Sequence, residues 1–189
     1  MVELIDKFHC MVLVGLAGKF FFGGNLMNII VREYAENDMA QMIELWNEVV
    51  DSGIAFPQID GLTESDANVF FSEQSFTGVA ENVNTGEILG LYILHPNNIG
   101  RCGHIANASY AVRSEARGLK IGERLVMHSI DTARGLEFKI LQFNAVVKTN
   151  YNAIKLYEKL GFIKLGTIPN GFLMKDGKFE DIISFYRQL

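Results

Sequence analysis

The chain has 189 residues, 22 acidic against 17 basic side chains, a formal net charge of −5 and 49% hydrophobic residues. That size suits one domain with one full core, and that hydrophobic content excludes a disordered chain. The mild negative charge, with no run of basic residues, argues against nucleic acid as a partner.

Residues 1–26 differ in character from the rest of the chain. Cys10 to Gly18 is an apolar run of about nine residues, far short of the ~20 that span a bilayer, and Lys19 interrupts it before Phe20-Phe21-Phe22. Glu3 and Asp6 offset Lys7 where a secretory signal needs positive charge, and no small-residue cleavage pattern is present. No membrane partner is expected. Gly23-Gly24-Asn25-Leu26 before Met27 can be encoded by codons that spell a bacterial ribosome-binding sequence. The natural start is therefore expected at Met27, with 1–26 a leader outside the fold and 27–189 the single domain. A membrane-surface or dimer-contact arm is the alternative reading of the leader.

Asn28 to Tyr34 is rich in Ile and Val and reads as the first strand. Asn37 is placed to cap a helix whose apolar residues Met39, Met42, Ile43, Trp46, Val49 and Val50 fall at helical spacing, with Gly53 ending it. After a loop around Phe56-Pro57, Thr63 starts a short helix with Asp66 set to complete a capping box. Phe76 to Val83 and Glu87 to Leu94 read as a hairpin across Asn84-Thr85-Gly86. Ile105 to Val112 is the next strand. A helix then runs to about Glu137 with the stripe Ile121, Leu125, Val126, Ile130 and Ala133. Ile140 to Val147 is a buried strand, Tyr151 to Leu160 a helix stopped at Gly161, and Lys164 to Ile168 and Phe179 to Arg187 the last strands. These elements predict an α/β or α+β domain: a mixed, mostly antiparallel sheet with a central βαβ crossover and helices on both faces. His9, His95, His104 and His128 lack metal-ligand spacing, and Cys10 and Cys102 form no metal or redox pattern, so no metal is expected and a reducing, cytoplasmic setting fits.

The string Arg117-Gly118-Leu119-Lys120-Ile121-Gly122 lies between a strand and a helix start. The first turn of a helix leaves N–H donors unpaired and carries the positive end of the helix dipole. Gly118 and Gly122 let an anion approach the backbone, and Arg117 and Lys120 add charge. The string reads as a pyrophosphate cradle, or as an ordinary strand-to-helix turn. Further on comes Asn150-Tyr151-Asn152-Ala153-Ile154-Lys155-Leu156-Tyr157-Glu158-Lys159-Leu160-Gly161-Phe162.

The two strings together resemble the GCN5-related N-acetyltransferase family over about Met27 to Leu189. The second string matches the family signature Asn-x-x-Ala-x-x-Leu-Tyr-Glu-Lys-Leu-Gly-Phe at every fixed position. The first departs from its pattern: Lys120 stands where the inner glycine is usual, near a helix start where Lys is expected to keep a helical φ. The tail from Gly166 to Asp181 resembles a bacterial subgroup of small-molecule enzymes, and the strand before the loop invites comparison with phosphinothricin-type members.

The resemblance implies acetyl-CoA as cofactor, bound through the cradle Arg117, Gly118, Leu119, Lys120, Ile121 and Gly122. It implies main-chain contacts from Tyr110, Ala111 and Val112 to the pantetheine arm, and an amide contact from Asn150, which equally reads as a helix cap. It implies Tyr157 as the acid that protonates the leaving thiolate; the plain reading of Tyr157 is an aromatic on the helix stripe. Phosphinothricin-type enzymes carry a Glu in the pattern Ala-Glu-x-Thr-x-x-Val, but this chain has Asn107 there, which cannot take a proton and could instead bond the substrate. Glu81 and His104 are the candidate bases, directly or through water. Phe172 is a candidate wall of the acceptor pocket or simply core. The expected activity is N-acetylation of a small amine or amino acid, with a homodimer admissible. An acyl-CoA sensor without catalysis and a protein N-terminal or lysine acetyltransferase are the other readings.

Overall fold

The structure is a computed structural model that describes residues 19–22 and 25–189, with side chains from residue 28 onward. Its strands are β1 (Lys19–Phe22), β2 (Asn25–Glu33), β3 (Phe76–Asn82), β4 (Glu87–Pro96), β5 (Ile105–Val112), β6 (Ile140–Val147), β7 (Ile163–Leu173) and β8 (Phe179–Gln188). Its helices are α1 (Met39–Ser52), α2 (Glu64–Ser72), α3 (Ile121–Gly135) and α4 (Tyr151–Lys159). The strands form one sheet in the order β1-β2-β3-β4-β5-β6-β8-β7. Every neighbouring pair is antiparallel except β5 and β6, which are parallel and joined through α3, so the expected crossover is present.

Two apolar layers sandwich the sheet. Met42, Leu45, Trp46 and Val50 form the buried stripe of α1, and with Phe71 of α2 they pack on Val79, Leu91 and Ile93. On the other face Ile121, Leu125, Val126, Ile130 and Ala133 of α3 meet Leu94, Ala106, Leu141 and Phe143. Central β4 is therefore buried from Ile88 to Leu94 and reads as a continuous apolar run, as a strand covered on both faces should.

Several boundaries differ from expectation. The first strand starts at Asn25, and Lys19–Phe22 pairs with it as β1, inside the stretch expected to stand apart as a leader; the rest of that stretch, 1–18 and 23–24, lies outside the described residues. Helix α1 is not capped by Asn37. A 3-10 turn, Glu36–Asp38, leads into it, because Asp38 accepts from Ala35 N–H at 2.8 Å. Thr63 does cap α2, but Asp66 accepts from the Thr63 hydroxyl at 2.6 Å instead of closing a reciprocal box. The strand expected to end at Ile168 continues to Leu173 past a register shift.

Asp38 is buried and clamped by both ends of the Arg32 guanidinium, at 2.6 and 2.9 Å, while Arg32 Nε donates to Glu81 at 2.6 Å. This ties β2 to the start of α1 and to β3. The Arg32 hydrogen bonds hold the Asp38 carboxyl below the usual carboxylate range. A depressed folded-state pKa adds stability above the unfolded value near ~3.9 and loses it as pH falls through the folded one. Asp38→Ala should therefore lower the unfolding free energy by about 2–3 kcal/mol at neutral pH, as loss of charge-assisted bonds does, and the gap to wild type should narrow in acid. Urea titrations at several pH values check this; a loss within about 0.5 kcal/mol at neutral pH would contradict it.

Candidate active site

The parallel ladder between β5 and β6 holds only at Ile105↔Ile140, Ala106↔Leu141 and Asn107↔Gln142. Beyond it the strands part, and a cleft of about 240 Å³ lies between them. Its walls come from β5 (Asn107 to Tyr110), β6 (Phe143 to Val147), α4 (Ala153, Tyr157) with the Asn150 that precedes it, and the loop Ala55-Phe56-Pro57. Trp46 packs on Phe56 at 4.3 Å between centroids and so holds that loop over the cleft. Aromatic rings fill the other side: Phe143 lies 4.5 Å from Tyr157, 4.6 Å from Phe162 and 5.7 Å from Tyr110.

The free edge of β5 has a definite polarity. Arg113 N–H donates to Leu89 at 3.0 Å and Ile105 C=O accepts from Asn97 at 2.7 Å, both on the β4 side. His104 C=O, one residue out of phase, accepts from Lys139 on the β6 side at 2.9 Å. Strand alternation then turns the main-chain groups of Ala108, Tyr110 and Val112 to the β6 side, where the first two line the cleft, and those of Ala111 toward Leu91. Of Tyr110, Ala111 and Val112, the main-chain groups of Tyr110 and Val112 face away from β4 and those of Ala111 face it.

After β5 a 3-10 turn, Ser114–Ala116, leads into the cradle. Leu119 and Ile121 are buried and anchor it, while Arg117, Gly118 and Lys120 are exposed. The first backbone bond into α3 runs from Arg124 N–H to Lys120 C=O, so the N–H groups of Ile121, Gly122 and Glu123 have no intrahelical acceptor. A Cβ at Gly122 would meet only Leu156 and Val112, at 3.7 and 3.9 Å, which leaves the cradle open. Glu123, an acid in this first turn, is drawn off by Lys159 at 2.6 Å. These features fit a pyrophosphate. Lys120 corrects an expectation: its φ is +59°, left-handed, not helical. The position demands the conformation for which glycine is the usual residue.

Tyr157, Asn107 and Asn150 meet in the cleft. Asn150 accepts from Ala153 N–H at 3.3 Å and caps α4, as one of its two readings required. Burial pushes the Tyr157 phenol above its ordinary pKa, and its hydroxyl has no hydrogen-bond partner among the described residues. Glu81 does not line the cleft; its carboxylate is taken by Arg32. His104 is exposed before β5, at the end where the two strands are still paired. Phe172 is buried against Val147 and Ile182 in a small cluster of its own. Residues the motifs passed over include Ser109 and Asn144. Ser109 shares a strand face with Asn107 by simple alternation, and the loop around Phe56-Pro57 lies on the side of the cleft where the resemblance puts the acceptor. No carboxylate or imidazole lines the cleft among the described residues.

The model of the acetyltransferase (GNAT) family matches residues 26–162. An N-acetyltransferase of Schizosaccharomyces pombe, aca1, is 30% identical over 144 residues, covering 68% of this chain and 69% of that one. The solved structure of a GCN5-related N-acetyltransferase from Kribbella flavida superposes with a TM-score of 0.79 at 32% identity over 85% of this chain and 98% of that one. A phosphinothricin acetyltransferase from Sinorhizobium meliloti, solved with AcCoA, shares the fold with a TM-score of 0.79 at 21% identity over 86% of this chain and 89% of that one.

Left-handed backbone costs an L-residue about 1–2 kcal/mol, against the larger unfolded-state entropy of glycine at about 0.4–1. Lys120→Gly should therefore stabilise the fold by about 0.5–1 kcal/mol, read from urea unfolding. A destabilised variant would show that the lysine side chain, not the backbone, governs this turn.

Proposed function

The chain belongs to the acetyltransferase (GNAT) family and is an N-acetyltransferase with acetyl-CoA as cosubstrate, and we propose that its acceptor is a small amine or amino acid held in the cleft between β5 and β6. The observation that carries this reading is the half-open cleft of about 240 Å³, flanked by Ala55-Phe56-Pro57, which has room for a compact acceptor beside a cofactor arm. Acetyl-CoA supplies the thioester whose carbonyl carbon the amine attacks.

The chain's own residues then have separable tasks. The N–H groups of Ile121, Gly122 and Glu123, with Arg117 and Lys120 nearby, hold the pyrophosphate. Tyr110 and Val112 orient an extended amide-bearing arm through main-chain bonds, as an added strand would. The Val112 N–H is placed to polarise the thioester oxygen. Asn150 spends its oxygen on the cap and keeps its NH₂ for the arm. Tyr157 holds a proton at Oη for the departing sulfur, as a phenol does at neutral pH, and burial favours its neutral form. The carbon–nitrogen bond forms, the carbon–sulfur bond breaks as sulfur takes the Tyr157 proton, the ammonium proton leaves to water, and water returns a proton to Tyr157. Glu81 is tied to Arg32 and His104 lies away from the cleft, so neither takes that proton. Asn107 replaces the strand carboxylate of phosphinothricin-type enzymes, so the reading takes their scaffold without their base.

Tyr157→Phe keeps the ring and its packing and removes one acidic proton. It should lower kcat by about 10²–10⁴-fold, the usual worth of general acid catalysis, and leave acetyl-CoA affinity nearly unchanged by calorimetry. A fall in kcat of less than about threefold, far below that range, would make Tyr157 a packing residue.

A further inference from the structure

The cleft carries no formal charge. Its polar lining among the described residues is Asn107, Ser109, Tyr110, Asn144, Asn150 and Tyr157, and no Lys, Arg, Asp, Glu or His touches it. Asn107 and Ser109 project from one face of β5, the face that carries Ala111 into the α1 and α2 layer, and neither side chain has a hydrogen-bond partner among the described residues. Asn144, by contrast, is pinned in place. It exchanges two hydrogen bonds with Asn97, at 2.6 and 3.3 Å, and accepts a third from Gln142 at 2.9 Å. Its backbone is fixed too, because its C=O accepts from the Ser184 hydroxyl at 2.9 Å.

Resting on the small-amine reading above, we propose that the acceptor is a monoamine whose remaining groups are uncharged and hydrogen-bonding, a carboxamide or a polyol, and not a free amino acid or a diamine. A carboxylate or second ammonium brought into this half-open cleft would lose part of its water and find no counter-charge in the lining, which is unfavourable. Carboxamides and hydroxyls both donate and accept, and they match the open amide of Asn107 and hydroxyl of Ser109 group for group. The missing base points the same way. With no carboxylate to take a proton, attack draws on amine that is already neutral. An amine beside a carbonyl, with a pKa like that of a peptide α-amino group, is roughly 300-fold richer in free base at pH 7 than a lysine-like alkylamine.

The test uses the full chain with acetyl-CoA and a thiol-release assay on matched acceptors. The panel is glycinamide against glycine and ethylenediamine, glucosamine against its 6-phosphate, and a hexapeptide with a free N-terminus. With kcat/KM computed per free amine, the uncharged member of each matched set should exceed its charged counterparts by at least about tenfold, a step of 1.4 kcal/mol. Asn144→Asp keeps the bonds that Asn97 and Gln142 donate, gives up the one it donates to Asn97 and adds a negative charge, so the ratio for ethylenediamine over glycinamide should rise by a similar factor. Equal or better use of glycine, ethylenediamine or the phosphate overturns this inference and leaves the small-amine reading standing, as does an unchanged ratio in Asn144→Asp. Preference for the hexapeptide, or binding of acetyl-CoA with no acceptor turned over, overturns the small-amine reading and this inference with it.

Discussion

Two parallel strands that pair for only three residues and then part leave a stretch of backbone inside the protein with no neighbour. Buried N–H and C=O groups need partners, so an open β5 edge is a standing cost unless something strand-like fills it. The packing prevents β6 from closing the gap. Phe143 is buried, stacks on Phe162 and meets Tyr157, so moving β6 toward β5 would break up the core under α3 and α4. The register of β6 against β8 shifts between Phe143 and Val146, alongside the cleft. The slot is therefore held open by the same aromatic contacts that stabilise that face of the sheet.

The cradle is set by how closely α3 lies on the sheet. A Cβ at Gly90 of β4 would stand 2.9 Å from both Ile121 and Leu125, so glycine there admits the first two turns of α3. Ile121 and Leu119 sink into the core and leave the intervening backbone outside. Arg113, between β5 and the cradle, donates to Glu44, and Ser114 N–H donates to Glu48, so the segment is tied to α1 across the sheet. Strand, turn and helix thus hold the unpaired donors at the start of α3 in a fixed relation to Tyr157, the relation on which the proposed transfer relies.

Much of this is legible in the chain. The limits of β5 and β6 match the apolar runs, because both strands are bounded by turn residues and covered on at least one face. The stripes of α1 and α3 follow from helical spacing, and the caps at Asn150 and Thr63 from side-chain chemistry. The failures share a cause: each needs a partner distant in sequence. Glu81 looks available in the sequence, yet Arg32, on the neighbouring strand, holds it. Asn37 loses the cap position because Asp38 is engaged by that same arginine. Lys120 reads as helical from its place beside a helix, whereas the tight turn out of Arg117 and Gly118 requires a left-handed residue there. Ala111 groups with its neighbours on β5 until pairing with β4 sets the phase of main-chain alternation.

The central claim is that this cleft positions and donates a proton but does not remove one. Its most direct test is the pH dependence of kcat/KM for a series of amines of graded basicity. With no protein base, each profile should climb toward the pKa of its own acceptor and shift as the acceptor is changed, and Glu81→Gln and His104→Ala should leave the profiles in place. A rising limb near pH 6–7 that is common to every acceptor, and is abolished by one of those substitutions, would contradict the claim and give the affected residue the role of base.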